Sequence, residues 1–514
     1  VRAGCRWPYS VVKRPAQRPT YTPFPFFLAY TAAALRDEGF AVLVDDAVTR
    51  NATRAEFLAG VRASAPDLVV YETSTPTFTE DLSLARALKD LGAAVCLTGA
   101  HATTNAVEIL ERHAAVDYVV AGEYEPGVVA LAALLAGRPL SRGGGLGVTA
   151  VAGTGRPPEL ADVPGFAYRA AGAVHANPPA LIPELDRLPF PARDLFPASD
   201  APHPDAYWDG FCQLRPALQL HASRGCPFHC SFCLFTQVIY GAGRYRTFSP
   251  ARIVAEMVEA RDRYGAREVY FDDDTLTGRR VHVEALCRAI EERGLALPWS
   301  CMGDAVVTDA RLVDRMAAAG CIGMKFGVES ASPDILRRVG KPPALLDHIR
   351  PLAARLAHHR IKSHATFTFG LPGETVRTMR DTFALACELD VDMVQFSITT
   401  PFPGTRYYDE LMAADQLRAG SSPEDFDGAS HAAINLPGLP ASELEAFARA
   451  AHGRWLLHKA RDPRWVARQA VLLRRVIRGQ GVAGVTEKLG KAVEVVGRAA
   501  GVTAARVIAR GGRS

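Results

Sequence analysis

Three cysteines, Cys226, Cys230 and Cys233, fall within the segment Ser223-Arg224-Gly225-Cys226-Pro227-Phe228-His229-Cys230-Ser231-Phe232-Cys233. A CxxxCxxC triplet is a compact soft-ligand site, and three thiolates leave one corner of a four-iron cluster open to a ligand that is not protein. Pro227 stiffens the loop, and Phe232 puts an aromatic ring beside the last thiolate, where it can shield a redox centre from water. The same spacing admits a zinc knuckle, with His221 or His229 as fourth ligand, or a disulfide cluster.

Whatever the triplet binds must be positioned by the elements around it. From Pro216 the chain alternates short apolar strands with helices for some 180 residues. Strands are expected at 218–222, 268–271, 297–302, 323–328, 362–369 and 393–398. Ser249 and Pro250 cap a helix that Gly265 ends. Six such units fit a partial (β/α)6 TIM-like barrel, where chemistry sits at the carboxyl ends of the strands. Those ends carry Asp272-Asp273-Asp274, then Gly303-Asp304, Glu329-Ser330, Gly370-Leu371-Pro372-Gly373-Glu374 and Thr399-Thr400-Pro401. An acid at a strand end suits an ammonium group or a diol, although any one of them could be a solvated carboxylate.

Upstream a second alternation appears. A helix over 26–39 is expected, with strands at 41–45, 67–72, 94–98 and 117–121 and helices at 80–91 and 107–112 between them. This reads as an α/β, doubly wound (Rossmann or flavodoxin-like) sheet, whose ligands lie beyond the carboxyl ends of its strands. The loops there are rich in small and hydroxyl residues: Thr73-Ser74-Thr75-Pro76-Thr77, Gly99-Ala100-His101-Ala102-Thr103 and Gly122-Glu123-Tyr124-Glu125. The segment between the two alternations is rich in proline and glycine and opens with Gly143-Gly144-Gly145; residues 166–174 in it suit a small hairpin.

The cysteine segment resembles the cluster loop of the radical S-adenosylmethionine (radical SAM) superfamily, down to the aromatic residue before the third cysteine. The resemblance implies that Cys226, Cys230 and Cys233 hold a [4Fe-4S] cluster whose fourth iron is chelated by S-adenosylmethionine, and that electron transfer yields a 5'-deoxyadenosyl radical. It further implies cosubstrate contacts at Phe232, at Asp272, Asp273 and Asp274 in place of the family's Gly-Gly-Glu, and at Asp304. Glu329 most resembles the ribose contact, followed by Ser330, then Gly370 and Gly373 of the fifth-strand glycine motif and Pro401. The upstream loops resemble those of the cobalamin-binding domain fused to many radical SAM enzymes. That implies a corrinoid with its nucleotide tail between Ser74, Thr75, Thr77, Gly99, His101, Thr103, Gly122 and Glu123. The Asp-x-His-x-x-Gly signature is absent, so His101 is not assigned as a cobalt ligand. The strand with which such domains usually open is not found before residue 26, so either the N-terminus is incomplete or residues 11–27 contribute something irregular.

The expected layout is 1–137 for the cobalamin-binding domain, 138–210 for the linker, 211–405 for the barrel, 406–460 for a substrate-facing extension and 461–514 for a basic helical tail. The expected reaction is methylation of an unactivated carbon with an external flavodoxin- or ferredoxin-like electron donor. Radical cyclisation or rearrangement by the same apparatus is the second reading, and a zinc-bearing scaffold without catalysis is the reading of another class.

At 514 residues, 48% hydrophobic and 22% charged, the composition is ordinary for a soluble enzyme, and with no apolar run of about 20 residues and no signal-peptide pattern a cytoplasmic location is expected. Ten cysteines, three of them clustered, suit metal ligation and buried thiols better than a disulfide framework. The net charge of +4 hides an asymmetry: residues 449–514 hold 15 Lys+Arg against 3 Asp+Glu, a balance of +12 that leaves −8 for the rest. The tail, with Trp455, Trp465, Arg468, Arg474, Arg475 and Arg478, suits a solvated helical face, or peripheral contact with an anionic membrane or a lipid-linked substrate. No nucleic-acid reader motif accompanies the charge.

Overall fold

The computed structural model describes residues 21–140, 156–203, 206–428 and 431–479. The glycine run at 143–145 and residues 480–514 of the tail lie outside them.

A two-residue strand β1 (Tyr21–Thr22) leads into α1 (Phe26–Asp37). Phe26, Phe27, Tyr30 and Ala34 of α1 are all buried, as expected of a helix enclosed between two layers. Next comes α2 (Arg54–Ser64), started by a capping box of Thr53 and Glu56. The first sheet then follows: β2 (Leu68–Glu72), α3 (Phe78–Asp90), β3 (Ala94–Thr98), α4 (Gly99–Arg112), β4 (Tyr118–Val120) and α5 (Glu125–Leu135). The hairpin of β5 (Phe166–Ala170) and β6 (Ala173–Ala176) extends the sheet in the order β2-β3-β4-β5-β6. The first three strands are parallel, and the hairpin adds two antiparallel ones.

Two expectations are corrected. Residues 41–45 form no strand: Asp45 makes a lone bridge to Ala198 and Leu43 is 67% exposed. A strand is stabilised by its neighbours, and among the described residues none pairs with the outer edge of β2. In addition, Gly99 to Thr103 is the first turn of α4 and not a loop, with a kink at Asn105.

After β7 (Trp208–Asp209), which pairs with β1, the barrel follows as expected. Its elements are β8 (Ala217–Leu220), β9 (Ser223–Gly225), α6 (Leu234–Val238), β10 (Tyr245–Thr247), α7 (Pro250–Tyr264), β11 (Glu268–Phe271), α8 (Arg280–Glu292), β12 (Trp299–Gly303), α9 (Ala310–Ala318), β13 (Cys321–Glu329), α10 (Pro333–Val339), α11 (Leu345–His358), β14 (Lys362–Phe369), α12 (Val376–Glu388) and β15 (Met393–Ile398). Six parallel strands run in the order β8-β11-β12-β13-β14-β15. Phe211 closes the floor, with the ammonium groups of Lys325 and Lys362 at 5.1 and 4.7 Å from its ring centroid.

Beyond the barrel come α13 (Arg406–Ala413), α14 (Ala441–Lys459) and helical residues 463–479. Much of the tail's described part is structural. Trp455 is fully buried and donates to the Ala386 carbonyl, Arg468 pairs with Asp390 and Asp392, and Arg475 reaches Gln213 and the Arg360 carbonyl. No helix of the described residues is long and apolar enough to cross a membrane. One continuous apolar core runs from Phe24, Phe27 and Tyr30, through Tyr240 and Phe248, into the barrel wall.

Candidate active site

The cysteine loop follows β9 at the carboxyl end of the barrel. Its shape is held by groups that are not cysteine. The Gln237 amide donates to the carbonyls of Cys230 (3.0 Å), Ser231 (2.8 Å) and Cys233 (3.1 Å), and its oxygen accepts from the Arg406 amide. Ser231 is tied by its own amide to Val339 and by its carbonyl to the Tyr407 amide. Gly225, at φ +84°, has no room for a side chain against the Arg244 carbonyl. Phe232 packs on Ile335, Val339 and Leu371.

The three cysteines are partly buried thiols. Burial pushes the Cys226 thiol up, and it pushes Cys230 up to about 12 against the pull of Lys341. Such thiols keep their protons until a metal displaces them. Of the two histidines that could complete a zinc knuckle, His221 is stacked on Phe26, with ring centroids 3.7 Å apart, and the His229 ring lies over Gly243. Among the described residues no three His, Cys, Asp or Glu side chains converge on one ion. A cluster holds its thiolates at separate corners, so this donor set fits a [4Fe-4S] group better than one zinc.

The strand ends divide between supporting the loop and facing the opening. Asp273 accepts from the Ala222 amide, the Ser223 amide and the Ser223 hydroxyl, and Asp274 accepts from the Gly225 amide. These two expected cosubstrate contacts therefore brace the strand that leads to Cys226. The Ser330 hydroxyl, fully buried, serves Thr382 and the Ser332 amide instead of the opening. Gly370 is glycine because a Cβ there would meet Ile434 and Leu444, and Gly373 turns over the Arg338 side chain. Pro401 is buried.

Glu329 sits in the left-handed region at φ +66°, an unfavourable place for a glutamate and a frequent mark of a functional site. It accepts from Thr368 at 2.8 Å and from Lys341 at 3.0 Å. The Lys341 ammonium is buried near the Cys230 thiol; desolvation opposes its charge, but the Glu329 and Asp304 carboxylates outweigh that and raise its pKa. Burial raises Asp304, with Lys341 pulling it back. Sequence reasoning missed both Lys341 and Gln237.

Below this rim the inward face of three strands carries polar residues, Lys325 on β13, His364, Thr366 and Thr368 on β14, and Gln395 and Ser397 on β15, alternating along their strands beside an apolar patch of Phe211, Tyr270, Met302 and Met393. Lys325 pairs with Asp209 at the floor. Neither ring nitrogen of His364 completes a hydrogen bond, although the Val394 carbonyl lies beside the ring.

The upstream loops meet at the ends of β2, β3 and β4. Thr75 and His101 share a hydrogen bond of 3.1 Å, Ser74 and Thr77 one of 3.1 Å, and Thr103 accepts from the Gly122 amide at 2.9 Å. Gly99, at φ +90°, crosses closely over Thr73. Burial lowers His101 to about 4, so its ring is neutral near pH 7. The loops face the barrel: Thr104 donates to the Pro403 carbonyl, and a Cβ on Gly404 would meet Thr104. Glu123 departs from expectation. Both its oxygens are taken, by Arg224, Arg246 and the Ile182 amide, so it points at the cluster strand and not at the loop cleft.

The Radical SAM superfamily profile matches residues 220–386, and the B12 binding domain profile matches residues 18–132. An uncharacterized methyltransferase of Pyrococcus horikoshii is 29% identical over 401 residues, covering 76% of this chain and 79% of its own. The anaerobic magnesium-protoporphyrin IX monomethyl ester cyclase of Rubrivivax gelatinosus is 26% identical over 406 residues, covering 75% and 66%. The solved radical S-adenosylmethionine methyltransferase TsrM of Kitasatospora setae, with cobalamin and a [4Fe-4S] cluster bound, superimposes with a TM-score of 0.64 at 19% identity. It covers 89% of this chain and 97% of its own, a likeness of fold.

Proposed function

Because the chain belongs to the radical SAM superfamily and carries a B12 binding domain, we propose that it is a cobalamin-dependent radical SAM enzyme that transfers a methyl group to an unactivated carbon. The observation that carries this reading is one arrangement: a three-thiol loop, with no converging set of metal ligands among the described residues, on the side of the barrel where the hydroxyl-rich loops of the first domain meet it. When bound, the cluster and S-adenosylmethionine supply a carbon-centred radical, and the corrinoid supplies the methyl group.

The residues place and shield. Cys226, Cys230 and Cys233 hold the cluster in a loop already shaped by Gln237. Glu329 and Asp304 take the roles of hydrogen-bond acceptors for a ribose or an ammonium, with Asp272 next in sequence to Asp273 and Asp274, which brace the loop. Lys341 balances these acids beside Cys230 and offers a cation to a carboxylate. Ser74, Thr75, Thr77, Gly99, His101, Thr103 and Gly122 form the cleft for the corrinoid tail, with His101 as a neutral hydrogen-bonding ring. The polar wall from Lys325 to Ser397 suits a compact, hydrogen-bonding substrate better than a lipid-linked one. An external one-electron donor completes the turnover, and peripheral membrane contact through the basic tail is a separate part of the proposal.

Anaerobic reconstitution with iron, sulfide and hydroxocobalamin tests the cofactors: broad iron-sulfur absorption and 5'-deoxyadenosine on reduction are expected. A colourless protein with stoichiometric zinc would sink the enzyme reading. S-adenosylmethionine deuterated in its methyl group then separates the reactions. Label in the product means methyl transfer. A product without label favours cyclisation, a reading kept because the matched cyclase aligns over most of this chain.

A further inference from the structure

The strand that leads to the first cysteine is charge-frustrated within its own domain. In the antiparallel ribbon of β9 and β10, Arg224 and Arg246 are direct cross-strand partners. Like charges so placed repel, and Arg224 is fully buried, so water cannot screen it. What lies between the two guanidinium groups comes from the first domain. Glu123 Oε1 accepts from Arg224 at 3.1 Å and from Arg246 at 2.8 Å, and Oε2 accepts from Arg246 at 2.7 Å. Glu125, the first residue of α5, accepts from Arg224 at 2.6 Å. The Arg224 guanidinium also stacks over Phe27 and Tyr30 of α1, at 4.6 and 5.3 Å from their centroids.

Two further facts give the arrangement a direction. Gly122, one residue before Glu123, is bonded to Thr103 in the loop cleft, and Arg224 is two residues before Cys226. One short turn of the first domain therefore touches the proposed corrinoid cleft on one side and the proposed cluster strand on the other. Apolar residues would fill such an interface at no electrostatic cost; charges that must pair fix one register.

We infer that Glu123 and Glu125 are positioning residues, and that through Arg224 and Arg246 the first domain sets where the cluster loop stands relative to the corrinoid. The inference rests on the proposed cofactor content, and it reassigns Glu123 from corrinoid contact to interdomain tie.

The test uses the full chain reconstituted with iron, sulfide and hydroxocobalamin, then partly reduced so that the cluster and cob(II)alamin are both paramagnetic. The readout is the relaxation enhancement that the cluster imposes on the cob(II)alamin resonance, which depends on their separation and not on turnover. Glu123→Gln is expected to retain its corrinoid, lose part of that enhancement, and hold iron less well. Adding Arg246→Met removes one of the two facing cations. The double variant E123Q/R246M should regain iron retention, because the ribbon is no longer frustrated, yet not regain the full enhancement, because only the Glu125–Arg224 pair then ties the domains. If Glu123→Gln does not fold, the double variant alone decides: a reduced enhancement supports the tie. Wild-type enhancement in the variants, with both cofactors in place, overturns the inference alone. A wild-type protein that takes up neither cofactor overturns the proposed function and the inference together.

Discussion

At the scale of single residues, the chemistry was legible where residue type and spacing coincide, as in the cysteine triplet, and hidden where only tertiary contact confers a role. Lys341 follows Gly340 after α10, and nothing in its neighbours announces an ammonium buried against Glu329. The pair makes a prediction. Lys341→Met leaves a carboxylate that is largely buried and unpaired, which should cost about 3 kcal/mol or more; in E329Q/K341M most of that loss should return, because neither charge is then stranded. Urea unfolding of the apo chain measures both, and equal stability of the single and double variants would show that the two charges are not coupled. Glu374 gives a pH prediction. Burial raises its carboxyl from 4.5 to about 7, although it accepts from the Gly370 and Leu371 amides. The folded chain thus holds this proton more tightly than the unfolded chain. The stability it contributes is full below pH 4.5 and is lost as pH rises through 7. Glu374→Gln, which cannot ionise, should flatten that slope and gain up to about 3 kcal/mol on the wild type between pH 4.5 and pH 8. Unfolding midpoints at those two pH values read it, and parallel curves would refute it.

At the scale of elements, the alternation of apolar strands with capped helices made the barrel readable. Ser249 and Pro250 do start α7, and Gly265 ends it in the left-handed conformation. Periodicity failed where an element depends on a distant partner. Residues 41–45 carry strand-like residues but no neighbouring strand among the described ones. Asp273, Asp274 and Ser330 sit at strand ends, as a ligand site requires, yet Asp273 and Asp274 accept from the segment that leads to Cys226, and Ser330 bonds Thr382 and Ser332; strand-end position alone cannot distinguish the two uses. Gln237 shows the same limit from the other side, because a glutamine on a short helix gives no sign that its amide gathers three carbonyls of the cysteine loop. Gln237→Ala should leave global stability within about 1–3 kcal/mol of wild type, while the loop loses its shape before metal arrives. The expected result is slower and less complete cluster assembly, with faster amide exchange at Ser231 and Cys233. Unchanged iron uptake and exchange would mean that the cysteines shape the loop unaided.

At the scale of the whole molecule, the two alternations read from sequence as separate domains, and each has its own sheet. The side chains join them. Phe24 and, on α1, Phe26, Phe27 and Tyr30 are buried in the same core as Tyr240, Phe248 and the barrel wall, and Phe26 stacks on His221, just after β8. A core that continues across the boundary ties the stability of one sheet to that of the other, so the chain should unfold as one cooperative unit. Phe26→Ala tests this, because it removes a large side chain from the shared surface at an expected cost of about 3–5 kcal/mol. Amide exchange followed in β3 and in β14 should show both strands losing protection by a similar amount. If β3 alone were loosened and β14 kept its wild-type protection, the domains would be energetically independent. A reaction that must carry a radical and a methyl group between them could not then rely on the shared core to keep the two cofactor sites in register.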